Sequence, residues 1–229
     1  MPRSEFMLKN YLKQTKAYPL LRFLKSYLEA VLWFFGSKQR VSPPALFKRA
    51  VIKQHTKKFS PSIFVETGTY LGDTVAAVKN LFSEVHSIEL GENLAKEAQK
   101  RFARRKNIHI HQGDSSKILP KILAVVHGPY LFWLDAHFSE GITVGDDEHL
   151  PLVKEIKTIL EHWQPGSVIL IDDARLMGKQ KGYPSFEEIK KLVGGYNLGL
   201  KVGQELDIIR IYYLRRLRSE SRLERREYY

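Results

Sequence analysis

The chain has 229 residues, of which 43% are apolar and 11% aromatic. That suits one core-forming domain with additions and excludes a disordered, collagen-like or low-complexity chain. It holds no Cys, which excludes disulfide frameworks, thiolate zinc sites, thiol nucleophiles and iron–sulfur clusters, and fits a reducing, cytoplasmic setting.

The net charge of +12 is unevenly placed. Residues 1–60 hold 13 Lys/Arg against 2 Asp/Glu, residues 61–213 hold 18 against 20, and residues 214–229 hold 6 against 3. A basic groove for nucleic acid would be built into the body of a domain; basic ends suit an anionic surface, a membrane face or solubility.

In chain order, residues 5–35 read as a helix. Leu20, Leu24, Tyr27, Leu28, Val31, Leu32 and Phe35 recur at three- and four-residue steps, opposite Arg22, Lys25, Ser26 and Glu29. Those charges interrupt the apolar stretch, so no membrane span is expected, and no small-residue cleavage site follows it. Pro2 excludes N-myristoylation. Gly36 reads as a stop, and a connector runs to Pro43-Pro44. A basic second helix covers 45–58. Two uses of residues 1–60 stand open. One is a lid or dimer element that buries its stripe against protein, in this chain or a second subunit. The other is a peripheral anchor on an anionic membrane.

From residue 62 the texture changes. Strand-like runs at 62–66, 84–89, 107–111, 130–135 and 167–172 alternate with amphipathic helices near 72–82, 91–105, 115–126 and 148–163. This alternation predicts an α/β fold, a parallel sheet covered by helices on both faces. A helix near 184–194 and two strands, 199–202 and 208–213, follow; Gly203 to Leu206 separate the strands as an antiparallel hairpin. Seven strands result, in a doubly wound, Rossmann-like, mostly parallel sheet with N-terminal helices. The organisation is a basic helical extension (1–60), an α/β domain (61–213) and a basic tail (214–229), solvated helix or disordered.

Phe64-Val65-Glu66-Thr67-Gly68-Thr69-Tyr70-Leu71-Gly72-Asp73-Thr74 sits at a strand-to-helix turn. Glycines there let backbone approach a ligand, and the helix start offers N–H groups. A dinucleotide fingerprint would place Gly where Tyr70 stands. Glu66, two residues before Gly68, suits an ammonium or sulfonium group and would repel a pyrophosphate. Glu89 ends the next strand about 20 residues beyond the glycine loop, where doubly wound folds place a ribose-binding acid; the alternative is a helix-start acid. Gly113-Asp114-Ser115 ends the third strand. Asp114 can accept from an adenine amino group or cap the next helix.

These sites, in order at the carboxyl ends of successive strands, resemble the class I S-adenosylmethionine-dependent methyltransferases over about residues 60–213. The resemblance implies S-adenosylmethionine as cofactor. It implies that Gly68 and Gly72, with Tyr70 and Thr74 in the same loop, pass beneath the methionine part. Glu66 would organise the amino end, Glu89 the ribose, and Asp114 with Ser115 the adenine.

Leu134-Asp135-Ala136-His137 ends the fourth strand and Ile171-Asp172-Asp173-Ala174-Arg175 the fifth. Three Asp on one rim are costly unless protonated, separated or bridged by a cation, and an oxygen-only set suits Mg²⁺, Ca²⁺ or Mn²⁺. The pattern resembles the metal-dependent small-molecule O-methyltransferases of the catechol and macrocin types. This implies Asp135, Asp172 and Asp173 as metal ligands, with Asp135 also beside the cofactor and the acceptor. The catechol type carries a general-base Lys where Phe138 stands; His137, with an ordinary pKa of about 6.5, is the candidate replacement. Its alternative is a hydrogen bond to a rim carboxylate. Arg175 pairs either with the Asp cluster or with an anionic substrate. Asp146-Asp147-Glu148 reads as a helix start.

The function expected is cation-assisted O-methylation of a small-molecule hydroxyl. A metal-independent methyltransferase and a non-catalytic membrane- or partner-binding module are the alternatives. Asp135-Ala136-His137-Phe138 lacks the prolines of the nucleic-acid N-methyltransferase tetrad, so a flipped base is not the expected acceptor.

Overall fold

The structure, a computed structural model, describes residues 18–35, 42–135, 151–180 and 182–213. The chain divides into two compact units, Met1–Gln54 and His55–Tyr229.

In the first unit, α1 (Tyr18–Phe35) precedes α2 (Ala45–Phe59), whose last turn belongs to the second unit. The Trp33 and Phe47 rings lie 4.8 Å apart. Leu24, Tyr27, Leu28 and Leu32 on α1 are exposed. No helix among the described residues is long and apolar enough to cross a membrane.

The second unit carries β1 (Ile63–Thr67), α3 (Asp73–Val78), β2 (Glu84–Glu89), α4 (Glu92–Phe102), β3 (Ile108–Gln112), α5 (Ser115–Val125) and β4 (Tyr130–Leu134). There follow α6 (Pro151–Glu161), β5 (Val168–Ile171), a 3₁₀ turn (Ala174–Leu176), α7 (Phe186–Gly195), β6 (Leu200–Glu205) and β7 (Ile208–Tyr213). The seven strands form one sheet in the order β3-β2-β1-β4-β5-β7-β6. The first five are parallel; β7 pairs antiparallel with β5 and β6. The expected doubly wound sheet with a terminal hairpin is therefore present.

The apolar content of the strands explains their places. Every residue of β1, β4 and β5 is buried, as strands covered on both faces must be. On one face Ile63, Val65, Phe132, Leu134, Ile169 and Ile171 pack with Leu119 and Ile122 of α5, Ile156 and Ile159 of α6, and Ile189 of α7. β3, at the edge, alternates Ile and His and is only partly buried. Helix starts are chemically marked. Ser185 and Glu188 form a reciprocal capping box on α7, satisfying backbone donors that the first turn leaves orphaned.

Three expected boundaries are corrected. The helix expected over 72–82 ends at Val78, where Asn107 Nδ2 donates to the carbonyls of Lys79 (3.1 Å) and Phe82 (3.4 Å). A side chain from a distant segment thus satisfies the turn that ends the helix. The strand expected over 199–202 runs instead from Leu200 to Glu205. Gly203 lies inside it, and Leu206-Asp207 make the two-residue turn, with Leu206 at φ 52°. The helix expected over 91–105 stops at Phe102. The expected helix segment 5–17, the expected helix start at 146–150 and the tail 214–229 lie outside the described residues.

Ile169 is fully buried in the central strand β5, whereas Val125 at the end of α5 is 75% exposed. Ile169→Ala is expected to lower unfolding free energy by about 2–5 kcal/mol. Val125→Ala should stay within about 0.5 kcal/mol. Urea midpoints at an unchanged slope measure both.

Candidate active site at the sheet switch point

β1 connects outward to β2 and β3 on one side, and β4 to β5 on the other, so strand order reverses between β1 and β4. Outside the carboxyl ends of a reversing pair the connecting loops part, leaving the crevice where open α/β sheets bind ligands. The β1 and β4 ends meet closely. Asp135 N donates to Thr67 O (3.2 Å), and a Cβ added to Gly68, whose φ is 91°, would stand 3.1 Å from Asp135 Cβ. At Gly72, with φ 71°, an added Cβ would fall 2.8 Å from the Phe102 ring. Both glycines are required by close approach and by left-handed backbone.

Beneath the loop runs a buried hydrogen-bond chain. The Ser87 hydroxyl donates to Glu66 Oε2 (2.7 Å), and Thr69 Oγ1 lies 2.6 Å from Ser87 Oγ. Thr74 stands beside the same carboxyl group. Glu66 is 1% exposed, and burial pushes its pKa up to about 8 against the lowering effect of the two hydroxyls. Glu89 Oε2 accepts from Tyr70 N (2.7 Å) and Oε1 from Gly91 N (2.8 Å). Glu89 therefore ties the glycine loop to the start of α4. Tyr70 itself is 65% exposed, with φ 48°.

At the end of β3, Asp114 Oδ1 accepts from the Ser116 backbone (2.9 Å) and hydroxyl (2.8 Å), capping α5. Ser115 does not project alone: its hydroxyl donates to Glu155 Oε1.

The carboxyl ends of β4 and β5 bring Asp135, Asp172 and Asp173 together, with one carboxylate oxygen from each within 4.8 Å of the others. Asp172 Oδ1 accepts from Asp173 N (2.9 Å), and Asp173 takes φ 56°. Arg175 NH1 donates to Asp173 Oδ1 (2.6 Å) and to Asp207 Oδ2, while Arg175 N donates to Asp207 Oδ1 (2.7 Å). Of the two partners expected for Arg175, the Asp cluster is the one in contact. His137 lies outside the described residues, as do 138–148.

Two participants escape a reading of the sequence. Glu155 of α6 is 4% exposed. Burial, with Asp114 and Asp135 nearby, raises its pKa to about 7. The signal was a Glu on the apolar stripe of its helix, among Leu152, Ile156 and Ile159. Asp207 was not legible, because only the hairpin brings it to Arg175.

The donor chemistry fits a hard cation, since the three-Asp group offers only carboxylate oxygens. The glycine loop and the flanking acids fit an organic cation with hydroxyls and an amino group. Both fits rest on residues already packed into place, because Glu66, Glu89, Asp172 and Asp173 are all buried.

No family model and no curated relative matches the chain. Solved structures do. The methyltransferase PaMTH1 of Podospora anserina, bound to SAH, is 12% identical with a TM-score of 0.51, over 94% of this chain and 98% of its own. An O-methyltransferase from Bacillus cereus in complex with SAH is 14% identical with a TM-score of 0.54, over 82% and 87%. The O-methyltransferase TomG of Streptomyces achromogenes, in complex with SAM, is 14% identical with a TM-score of 0.52, over 72% and 78%. The chain thus has the fold of the class I S-adenosylmethionine-dependent methyltransferases.

Proposed function

We propose that the protein is an S-adenosylmethionine-dependent methyltransferase that methylates a small-molecule hydroxyl with the help of a divalent cation, Mg²⁺ foremost. The observation that carries this reading is the convergence of Asp135, Asp172 and Asp173 within 4.8 Å beside the Gly68 loop. A crevice for the cofactor alone would not require three clustered acids.

S-adenosylmethionine, when bound, supplies a methyl group activated by its sulfonium. Gly68 and Gly72 keep the loop thin enough for it. Glu66 would hold its amino end, Glu89 its ribose hydroxyls, and Asp114 with Ser115 its adenine, with Tyr70 and Thr74 completing the loop. Asp135, Asp172 and Asp173 would hold the cation, which would lower the pKa of an acceptor hydroxyl beside it. Arg175 fixes Asp173 through Oδ1. Orientation of the acceptor oxygen supplies much of the rate, as it does in any two-reactant site. His137, two residues beyond Asp135, takes the acceptor proton.

Three measurements test this. Calorimetry with S-adenosylmethionine should show one saturable site, abolished in Gly68→Val; no binding to the wild type ends the reading. Turnover on a panel of phenols and sugars should fall by about 10–100-fold or more in Asp172→Asn and after chelation. Activity that survives both selects the metal-independent reaction, with Asp135 and His137 acting alone.

The Glu66 pKa gives a pH test. Between its ordinary value of 4.5 and about 8, the unfolded chain releases this proton and the folded chain keeps it. Stability from this group is complete below 4.5 and is lost as pH rises through 8. Glu66→Gln should therefore gain stability relative to wild type from pH 5 to pH 8, read from urea midpoints.

For residues 1–60 we propose the protein-facing use, a lid or dimer element. The exposed Leu24, Tyr27, Leu28 and Leu32 form a stripe that a partner surface would cover. Deleting residues 1–40 should abolish acceptor turnover without any lipid dependence. Co-sedimentation with anionic liposomes, weakened by salt, would instead select the anchor.

A further inference from the structure

A second cluster lies away from the crevice, at the sheet edge formed by β2 and β3. Glu84 and His86 alternate on one face of β2, and His109 and His111 on the same face of β3; His86 is in register with His109. One ligand atom from each of Glu84, His86 and His109 lies within 4.8 Å of the other two. The His86 ring stacks on His109 with centroids 4.8 Å apart and on His111 at 5.4 Å. His86 Nε2 is 3.1 Å from Glu84 Oε2, and His86 Nδ1 is 3.1 Å from His111 Nε2. His86 is buried, Glu84 half-buried and His109 exposed, so the group opens to solvent on the side of His109.

Nothing in a sheet edge requires this composition. Strand faces that turn toward a core take apolar residues, as Ile88 does two positions beyond His86. An edge is commonly blunted with Lys or a bulge, not with three stacked imidazoles and a carboxylate. The ligand set is imidazole with carboxylate, which suits borderline first-row divalent ions and is poorly suited to Mg²⁺ or Ca²⁺. Two donors on a tetrahedral Zn²⁺ at about 2.0–2.1 Å stand about 3.3 Å apart; the Glu84 and His86 donors stand 3.1 Å apart, and the His109 donor lies within 4.8 Å of both.

We infer that Glu84, His86 and His109 form a binding site for Zn²⁺, with His111 as the positioning partner of His86, and that the ion clips the edge strand β3 to β2. His86 ligates through Nε2. Its remaining proton then sits on Nδ1 and is donated to Nε2 of His111, whose own proton sits on its Nδ1. Each ring keeps one proton, so binding moves protons between ring nitrogens without releasing any. A metal-bound His characteristically donates its other N–H in this way.

The test uses tag-free, full-length protein at pH 7. Zn²⁺ is titrated against a chromophoric chelator, with Mg²⁺ in excess to occupy the carboxylate trio. One Zn²⁺ per chain is expected, with a raised thermal midpoint. His109→Ala, at an exposed position, should weaken binding by about tenfold or more and remove the midpoint shift. His111→Phe should weaken it by a similar factor, and His111→Gln, whose amide oxygen can accept from His86, should restore it. Asp172→Asn should bind Zn²⁺ like the wild type. The inference is overturned if the wild type takes up no Zn²⁺ under these conditions, or if His109→Ala keeps wild-type affinity. The histidines are then only a hydrogen-bonded stack. S-adenosylmethionine binding by His109→Ala should match the wild type, so neither result bears on the methyltransferase reading.

Discussion

The constraint on which the site depends is the near-contact of Gly68 with Asp135 across the β1–β4 pair. Where two adjacent parallel strands have outward connections that run in opposite directions, the loops leaving their carboxyl ends part, and the gap is the crevice. Its width is set by what the chain allows at position 68. With φ at 91° and Asp135 Cβ 3.1 Å from any added Cβ, only glycine lets the β1 loop pass this close to the acid that ends β4. That approach sets the glycine loop against Asp135, and the pairing of β4 with β5 brings Asp172 and Asp173 to the same rim.

The cost of the site is electrostatic. Glu66, Glu89, Glu155, Asp172 and Asp173 are all buried, and an isolated buried charge is expensive. The fold offsets this in different ways. Glu66 and Glu155 are pushed toward the neutral form by burial, to about 8 and about 7. Each is also tied by hydroxyl groups, Ser87 and Ser115. Glu89 stays bonded to two backbone N–H groups. Asp173 is matched by Arg175, itself held by Asp207. A cation among the three Asp residues would complete this compensation with carboxylates alone. The edge cluster on β2 and β3 has the opposite character, with imidazoles around one carboxylate. Two sites in one sheet would then differ in metal preference through ligand type.

Much of this was legible in the chain. The alternation of apolar runs with amphipathic segments placed seven strands. Apolar runs such as Val168–Ile171, alternating with amphipathic segments, pointed to strands covered on both faces, and Asp172-Asp173 after such a run marked the rim. What failed was of two kinds. Boundaries that depend on a distant partner were misplaced, as where Asn107 ends α3 or where Gly203 sits inside β6 instead of in its turn. Pairings between remote residues were invisible, because the sequence shows residue type and spacing but not which side chain a fold brings opposite. Glu155 could have been suspected from its place on an apolar stripe, and Asp207 as a second partner of Arg175 could not.

The sequence by itself determined the α/β class, the order of the loops that carry acids and glycines, and the segregation of basic residues to the chain ends. Those properties are local, fixed by periodicity and by residue chemistry at strand ends. The tertiary structure decided what each acid does in the folded chain. It made Asp114 a helix cap, joined Glu89 to the glycine loop, turned Arg175 onto Asp173 and Asp207, and stacked three histidines on adjacent strands. Those outcomes depend on strand order and register. These bring residues far apart in the chain within hydrogen-bond distance, and no local pattern encodes that.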